Sequence, residues 1–307
     1  MKLDCFHTVL EVNMEMQKCL HLSDALEKKT CKIAGEYRVT EKLDGWWIRM
    51  EAAPGQGWTS PISSANRHIP SLDFVNLTEA ILPVEPMIVI AEATHPDYPE
   101  FSDLNGRLNR KYDKLDGVVL NIHDIIYPNH PTCTAAERLV RVTKFINAVG
   151  REHKQNGLEF QLCEVPGLTL SSKVDDWKRE FDKVVCRDGE GVVCKRLDAP
   201  YYPGKRNESL IKIKEEVTLD LLCIGITHGF GRKGEPSMTL DCKSSNGKIV
   251  TVVVPKDSDR LSFTEEPRRI LDKVVIIKAM KRLKDSLREP RFKGIRHDKL
   301  STDIDAI

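Results

Sequence analysis

The run Leu210-Ile211-Lys212-Ile213-Lys214 alternates strictly between apolar and cationic residues. Successive side chains of a strand point to opposite faces, so this segment is committed to a half-buried sheet, with isoleucines towards a core and lysines on the other face. An ordinary amphipathic edge strand satisfies the pattern. Two ammonium groups side by side also repel each other unless an anion lies between them, and phosphate is the natural candidate. Further strands are read in EYRVTEKLDGWWIRMEA, interrupted by a glycine, and at 86–93, 115–126 and 189–196. Residues 1–32 hold no glycine or proline and are read as helical. Thr134-Ala-Ala-Glu137 is a capping box opening a helix that runs on through Val142, Phe145 and Ile146. Ser172 with Asp175 opens another, whose Val174, Trp177, Phe181 and Val185 recur at helical spacing.

Beyond about residue 217 the texture changes. Short strands are expected at 219–227, 237–243, 248–254 and 273–278, with Gly-rich turns and one helix at 265–271. Several short strands with one helix suggest a small barrel of the OB type. The boundary is therefore placed near 217. The 307 residues are comfortable for two domains, and 40% hydrophobic residues suffice for real cores. Forty-seven basic residues stand against forty-six acidic ones, so any nucleic-acid partner must meet a basic face and not a basic total. The nine cysteines form no C-x-x-C, which excludes a zinc ribbon or redox motif and points to free thiols in a reducing cytoplasm. The first residues, with Asp4 and Glu11, read as neither signal peptide nor membrane anchor.

Chemistry concentrates in a few places. Glu41-Lys42-Leu43-Asp44-Gly45 offers a lysine, but a free lysine, of pKa about 10.4, is almost fully protonated near neutrality. Attack on phosphorus needs the neutral amine, which burial or a neighbouring cation favours. Asp44 would share a strand face with Lys42 and could relay its proton. Glu190, beside Gly191 at a strand start, suits Mg²⁺, because hard oxygens suit a hard cation. Glu92 ends an apolar strand, where a carboxylate serves a ligand hydroxyl or a metal. Gly229-Phe-Gly-Arg-Lys-Gly234 fits G-x-G-x-x-G, but a strand and not a helix follows, so a hairpin loop is expected, with Arg232 and Lys233 available to a DNA backbone. No P-loop motif occurs. Trp46, Trp47 and Trp58 are read as core.

The order of these features, K-x-D-G, a strand-end Glu, E-G-V-V-x-K and K-x-K, resembles the covalent nucleotidyltransferases: ATP-dependent DNA ligases, RNA ligases and capping enzymes. The tail from Leu287 to Lys299, R-E-P-R-F-K-G-I-R-H-D-K, is similar to the closing motif of DNA ligases in particular. The resemblance spans about residues 35–299 and implies an α+β chain. A nucleotidyltransferase (ATP-grasp-like ligase) domain of antiparallel sheets with flanking helices would occupy residues 1–217. A small OB-fold β-barrel would follow over 218–307. It implies ATP and Mg²⁺ as cofactors, nicked double-stranded DNA as partner, a monomer, and the minimal phage-like type with roles in DNA repair, replication or recombination. By motif, Lys42 becomes adenylylated and Glu41 flanks the adenine. Glu92 holds ribose or metal, Glu190 binds Mg²⁺, and Lys212 and Lys214 contact phosphates. Lys195 belongs to the E-G-V-V-x-K strand at the nucleotide. Arg296, Asp298 and Lys299 orient pyrophosphate.

Three positions depart from the family. Trp47 stands where K-x-D-G-x-R has its arginine, and Arg49 is expected to substitute. Ser63-Ser64 stands where a Ser-Arg pair precedes Ile69-Pro70, with Arg67 as the replacement cation. His123 stands where an aromatic ring stacks on adenine. The alternatives are an RNA ligase or capping-type enzyme, against which the tail speaks, and a non-catalytic nucleic-acid-binding protein on the same scaffold.

Overall fold

The computed structural model describes residues 14–231, 234–282 and 285–307. The chain divides into two compact units, one ending at Ile213 and one running from Lys214 to Ile307. The expected contacts of Arg232 and Lys233, and the first thirteen residues of the expected N-terminal helix, lie outside the described residues.

The first unit is built on two sheets. In one, five strands lie side by side: Lys18–His21, Arg206–Lys214, Gly191–Arg196, Glu36–Glu41 and Gly167–Ser171. In the other, seven-stranded, Trp46–Ala53, Met87–Thr94, Val118–Ile126 and Leu158–Glu164 are neighbours in that order. Alternation decides which side chains go where. Tyr37 and Val39, Val192 and Cys194, and Ile211 and Ile213 all enter one apolar cluster with the buried Trp177. The larger core, around Ile48, Met50, Val89, Leu120 and Phe160, lies against the second sheet. The helix Ala135–Val149 closes over it, and both halves of the Thr134–Glu137 capping box are formed, a local device that contributes about 1 kcal/mol.

Four expectations need correction. Of the helix read over 1–32, the described part holds a strand, Lys18–His21, and only a short helix, Leu22–Glu27. The strand pairs in parallel with Arg206–Lys214 far along the chain, and that ladder overrides local propensity. The sheets are also not purely antiparallel. Val118–Ile126 runs parallel to Leu158–Glu164, because the helix Ala135–Val149 provides the crossover a parallel pair needs. The helix Val174–Val185 is present, but its N-cap is Lys173, without a side-chain cap bond from Ser172. In the second unit the helix lies at Asp257–Glu265. Pro267, which cannot donate to a preceding turn, instead starts a short 3₁₀ turn, Pro267–Arg269.

That unit is a closed barrel of five strands, Val217–Phe230, Pro236–Lys243, Ile249–Val253, Arg291–Ile295 and Val274–Ala279, in the manner of an OB-fold. Leu219, Leu221, Leu240, Val252, Val275 and Ile277 fill it. Of the G-x-G-x-x-G segment, Gly229 lies within the barrel's first strand, and the strand Pro236–Lys243 follows Gly234. Part of the closing motif, Arg291–Ile295, is itself a barrel strand.

Candidate active site

Lys42 sits in the turn between the strands Glu36–Glu41 and Trp46–Ala53. Its backbone N–H donates to the Gly191 carbonyl at 2.8 Å, which stitches the turn to the strand carrying E-G-V-V-x-K. Gly45 is required here. A Cβ on it would lie 2.5 Å from the Ala93 carbonyl oxygen and 2.7 Å from Glu92 Cγ, so only glycine lets the turn press against the Glu92 strand.

The faces opposite the apolar clusters meet across a cavity of about 340 Å³, a size suited to a small organic ligand. Where odd-numbered Tyr37 and Val39 enter the core, Arg38, Thr40 and Lys42 line the cavity. Val193 and Lys195 follow from the next strand, and Leu210 and Lys212 from the one beyond. The second sheet contributes Trp47, Ile90, Glu92, Ile122 and His123. Cys19 and the cations Lys18 and Arg206 complete the lining on the side of the first sheet.

The Lys42 ammonium donates to Glu190 Oε2 at 2.6 Å, with the lysine side chain 26% and the glutamate 13% exposed. Lys212 shares the cavity. Burial pushes its pKa below the usual lysine range, and the neighbouring Lys42 and Arg206 cations push the same way. His123 Nε2 is 3.8 Å from Glu92 Oε2. Behind them, Lys195 donates to the His123 carbonyl at 2.8 Å and to Asp124 Oδ2 at 2.9 Å. Arg138 holds the other side of Asp124 at 2.7 Å. Burial works to raise the Asp124 pKa, but the two cations outweigh it and leave this carboxyl below its usual range. The floor under His123 is thus a buried ionic knot.

The structure brings Glu41, Lys42, Glu92, His123, Glu190, Lys195 and Lys212 together. Glu41 is also paired with Arg187 at 2.5 Å. Asp44 lies in the turn and not on a strand, so it does not share a strand face with Lys42. Lys214 is not among the residues lining the cavity. Arg49, expected at the nucleotide, is buried elsewhere. Its Nη1 donates to the Met14 carbonyl at 2.7 Å and its Nε faces Glu51 at 2.8 Å. Burial raises the Glu51 pKa, and Arg49 works against that rise. Trp47, expected in the core, packs on the buried Ile88, Ile90 and Ile126 and also lines the cavity. Arg67 closes a turn with Ser63 and is not in the cavity wall. Arg296, Asp298 and Lys299 cluster in the barrel around Asp220. Arg296 Nη1 and Lys299 Nζ lie 2.6 and 2.8 Å from its Oδ2, and Arg296 also grips Asp298.

Sequence reasoning missed Arg38, Arg206, Cys19 and the Asp124–Arg138 pair. Arg38 carried a signal: it alternates with Tyr37 and Val39 on the strand leading to Lys42. Among the described residues no group of three or more His, Cys, Asp or Glu is gathered to hold a metal ion. That fits Mg²⁺, which is usually bound through one or two carboxylates with phosphate oxygens and water. Glu190, beside Lys42, and Glu92, in the cavity wall, are oxygen donors of the kind a hard cation takes.

The family model of the ATP dependent DNA ligase domain matches residues 59–214, just over half of the chain. Lys42 lies ahead of the matched span. A DNA ligase of Methanothermobacter thermautotrophicus is 26% identical over 272 residues, covering 75% of this chain and 46% of that protein. A DNA ligase of Nanoarchaeum equitans is 27% identical over 319 residues, covering 88% and 54%. The chain therefore spans about half the length of the curated relatives it matches. Among solved structures, one described under "DNA binding with a minimal scaffold: Structure-function analysis of Lig E DNA ligases" matches with a TM-score of 0.63 at 20% identity, covering 92% of this chain and 99% of that one. The ATP-dependent DNA ligase from bacteriophage T7, in complex with ATP, matches at 0.53 and 14% identity, covering 93% and 99%. At these identities the likeness shows the fold.

Proposed function

Because the chain belongs to the ATP-dependent DNA ligase domain family, we propose that it is an ATP-dependent DNA ligase, carrying AMP on Lys42 and sealing nicks in duplex DNA. The observation that carries this reading is the position of the Lys42 amine inside the cavity, 2.6 Å from Glu190 and with Lys212 in the same wall.

In the first step Lys42 gives up the proton it shares with Glu190, and its neutral nitrogen attacks the α-phosphorus of ATP. The P–N bond forms, the bond to the β-phosphate oxygen breaks, and pyrophosphate leaves. Lys212 offers positive charge to the phosphoryl oxygens where charge develops. Glu92 takes the ribose hydroxyls and His123 stacks on the base, held by the knot of Lys195, Asp124 and Arg138. Glu41 flanks the base from the strand end. Glu190 would hold a bound Mg²⁺, which would supply Lewis-acid neutralisation of phosphate charge. In the second step a 5′-phosphate oxygen at the nick attacks the lysyl-AMP phosphorus and the P–N bond breaks. In the third the adjacent 3′-hydroxyl attacks the activated 5′-phosphorus and AMP leaves. Holding the two ends in line supplies much of the rate. Arg296, Asp298 and Lys299 act on the pyrophosphate during the first step, and the protein works as a monomer on nicked double-stranded DNA. The resemblance of the tail to the closing motif of DNA ligases supports this part. The described residues include no helix long and apolar enough to cross a membrane.

A gel assay on nicked duplexes tests the reading. Joining of nicked DNA with ATP, abolished in Lys42→Ala, is the expected result. Joining only of nicked RNA, or only with GTP, would move the protein to the RNA ligase or capping-type alternative.

A further inference from the structure

One pair in the cavity wall has no part in the three steps above. Arg38 and Glu164 both line the cavity, and the Arg38 Nη2 lies 3.8 Å from Glu164 Oε1. That separation is an ion pair without a hydrogen bond. The Arg38 Nε is buried and has no hydrogen-bond partner among the described residues. That nitrogen packs against the wall at Gly167, so the guanidinium meets a ligand through its Nη atoms, beside Glu164. Glu164 is itself positioned, since Thr143 Oγ1 donates to its other oxygen, Oε2, at 3.0 Å. The wall is also cut back to make room for the arginine. A Cβ at Gly167 would lie 2.9 Å from the Arg38 Nε and 2.6 Å from the Val39 carbonyl oxygen.

The position along the strand tells which part of a nucleotide this pair meets. Lys42 follows Arg38 by four residues, about 13 Å of extended chain. Arg38 stands directly opposite Lys195 in the sheet, and the Lys195 ammonium is tied to the His123 carbonyl. The pair therefore shares the end of the cavity with the proposed stacking ring, and Lys42, Glu190 and Lys212 mark the phosphate end. Lys195 already has Asp124 as countercharge at 2.9 Å, whereas Arg38, among the described residues, faces Glu164 at 3.8 Å without a hydrogen bond.

We propose that Arg38 and Glu164 read the Watson–Crick edge of the base. Arg38 donates to adenine N1 and Glu164 accepts from the N6 amino group. Guanine presents the opposite pattern at those two positions, an acceptor at O6 and a donor at N1, and so confronts oxygen with oxygen and donor with donor. Sites built to hydrogen-bond one edge reject the wrong one strongly, because the buried groups are then left unpaired. This inference rests on the ligase reading for the choice of adenine as ligand.

Equilibrium binding of ATP, GTP and inorganic tripolyphosphate to the full chain tests it, using wild type, Arg38→Met and the near-isosteric Glu164→Gln. Wild type should bind ATP about a hundredfold more tightly than GTP. Arg38→Met should weaken ATP about tenfold, tighten GTP by relieving the clash at its N1–H, and leave tripolyphosphate unchanged, and Glu164→Gln should narrow the ATP-to-GTP ratio about tenfold by offering an amide donor to O6. An unchanged ATP affinity in both variants overturns the proposal. So does an Arg38→Met loss shared equally by tripolyphosphate, which would place the arginine on the phosphates. So does a wild type that does not prefer ATP over GTP. Transfer of α-labelled AMP to the protein is measured separately. Base discrimination that depends on Arg38, without covalent AMP, would leave this inference standing and remove the ligase reading. Covalent AMP with no change in discrimination would do the reverse.

Discussion

Lys42 in the first unit and Arg296 in the barrel are both motif cations, and each meets a carboxylate oxygen at 2.6 Å. Their surroundings differ. Lys42 meets Glu190 at a cavity lined by six lysines and arginines, Lys18, Arg38, Lys42, Lys195, Arg206 and Lys212, against four carboxylates, Glu41, Glu92, Asp124 and Glu164, so the cations outnumber the acids even with Glu190 counted. Arg296 is shared between Asp220 and Asp298, and Lys299 reaches the same Asp220. Asp220 in turn is joined through its backbone to Asp305, with the Asp220 N–H donating to Asp305 Oδ2 at 2.7 Å and the Asp305 N–H to the Asp220 carbonyl at 2.8 Å. In the barrel, then, the ion pairs clasp the end of the chain to its first strand. In the cavity they leave charge over, and surplus positive charge is what a polyphosphate needs. An ion pair of a given length says little until the charge balance around it is counted.

This contrast can be broken by substitution. The largest effect is expected for Glu190→Gln, which should slow transfer of AMP to the protein about a thousandfold, some 4 kcal/mol of barrier. Single-turnover labelling measures this, and the melting temperature should barely move. Asp124→Asn should act on stability, because it leaves Arg138 and Lys195 buried without their acid. A loss of about 3 kcal/mol by denaturant titration is expected. The pH dependence has a definite sign. The native Asp124 pKa lies below its unfolded value, so the unfolded state binds more protons. Its stabilisation is present above the ordinary carboxylate range and is lost as pH falls through the depressed native value. Asp124→Asn should flatten that acid limb.

Arg49→Ala comes next in size. It leaves Glu51 buried without its cation and should cost about 2 kcal/mol of stability, with the KM for ATP unchanged. A raised KM with unaltered melting would return Arg49 to the nucleotide. The smallest effect, about 1 kcal/mol, is expected for Asp220→Asn, whose cationic partners are each close to a third exposed. If that variant instead abolished labelling while stability held, the barrel cluster would belong with the cavity residues and the contrast would fail.

What could be read in advance followed the range of the interaction. The Thr134–Glu137 capping box and the alternation at 210–214 are local, and both are found as read. Leu158, Phe160 and Leu162 alternate just as clearly, and that strand was there to be recognised. The strand Lys18–His21 was hidden because its partner lies at Arg206–Lys212, so the local sequence, free of glycine and proline, looked helical. Motif order brought Lys42, Glu190 and Lys212 to one site, although Lys42 and Glu190 are 148 residues apart. Trp47 and Arg49 share a strand face, and no pattern tells which of the two reaches the cavity. Glu51 settled that by holding the arginine. Asp124 and Arg138, bonded across a helix and a strand, left no mark in spacing at all.

The central claim concerns one nitrogen, and intact-mass measurement after incubation with ATP and Mg²⁺ addresses it directly. The expected result is a mass gain of one AMP on wild type, none on Lys42→Ala, and loss of the adduct when nicked duplex DNA is added. An adduct that survives Lys42→Ala, or a wild-type protein that never gains the mass, would contradict it.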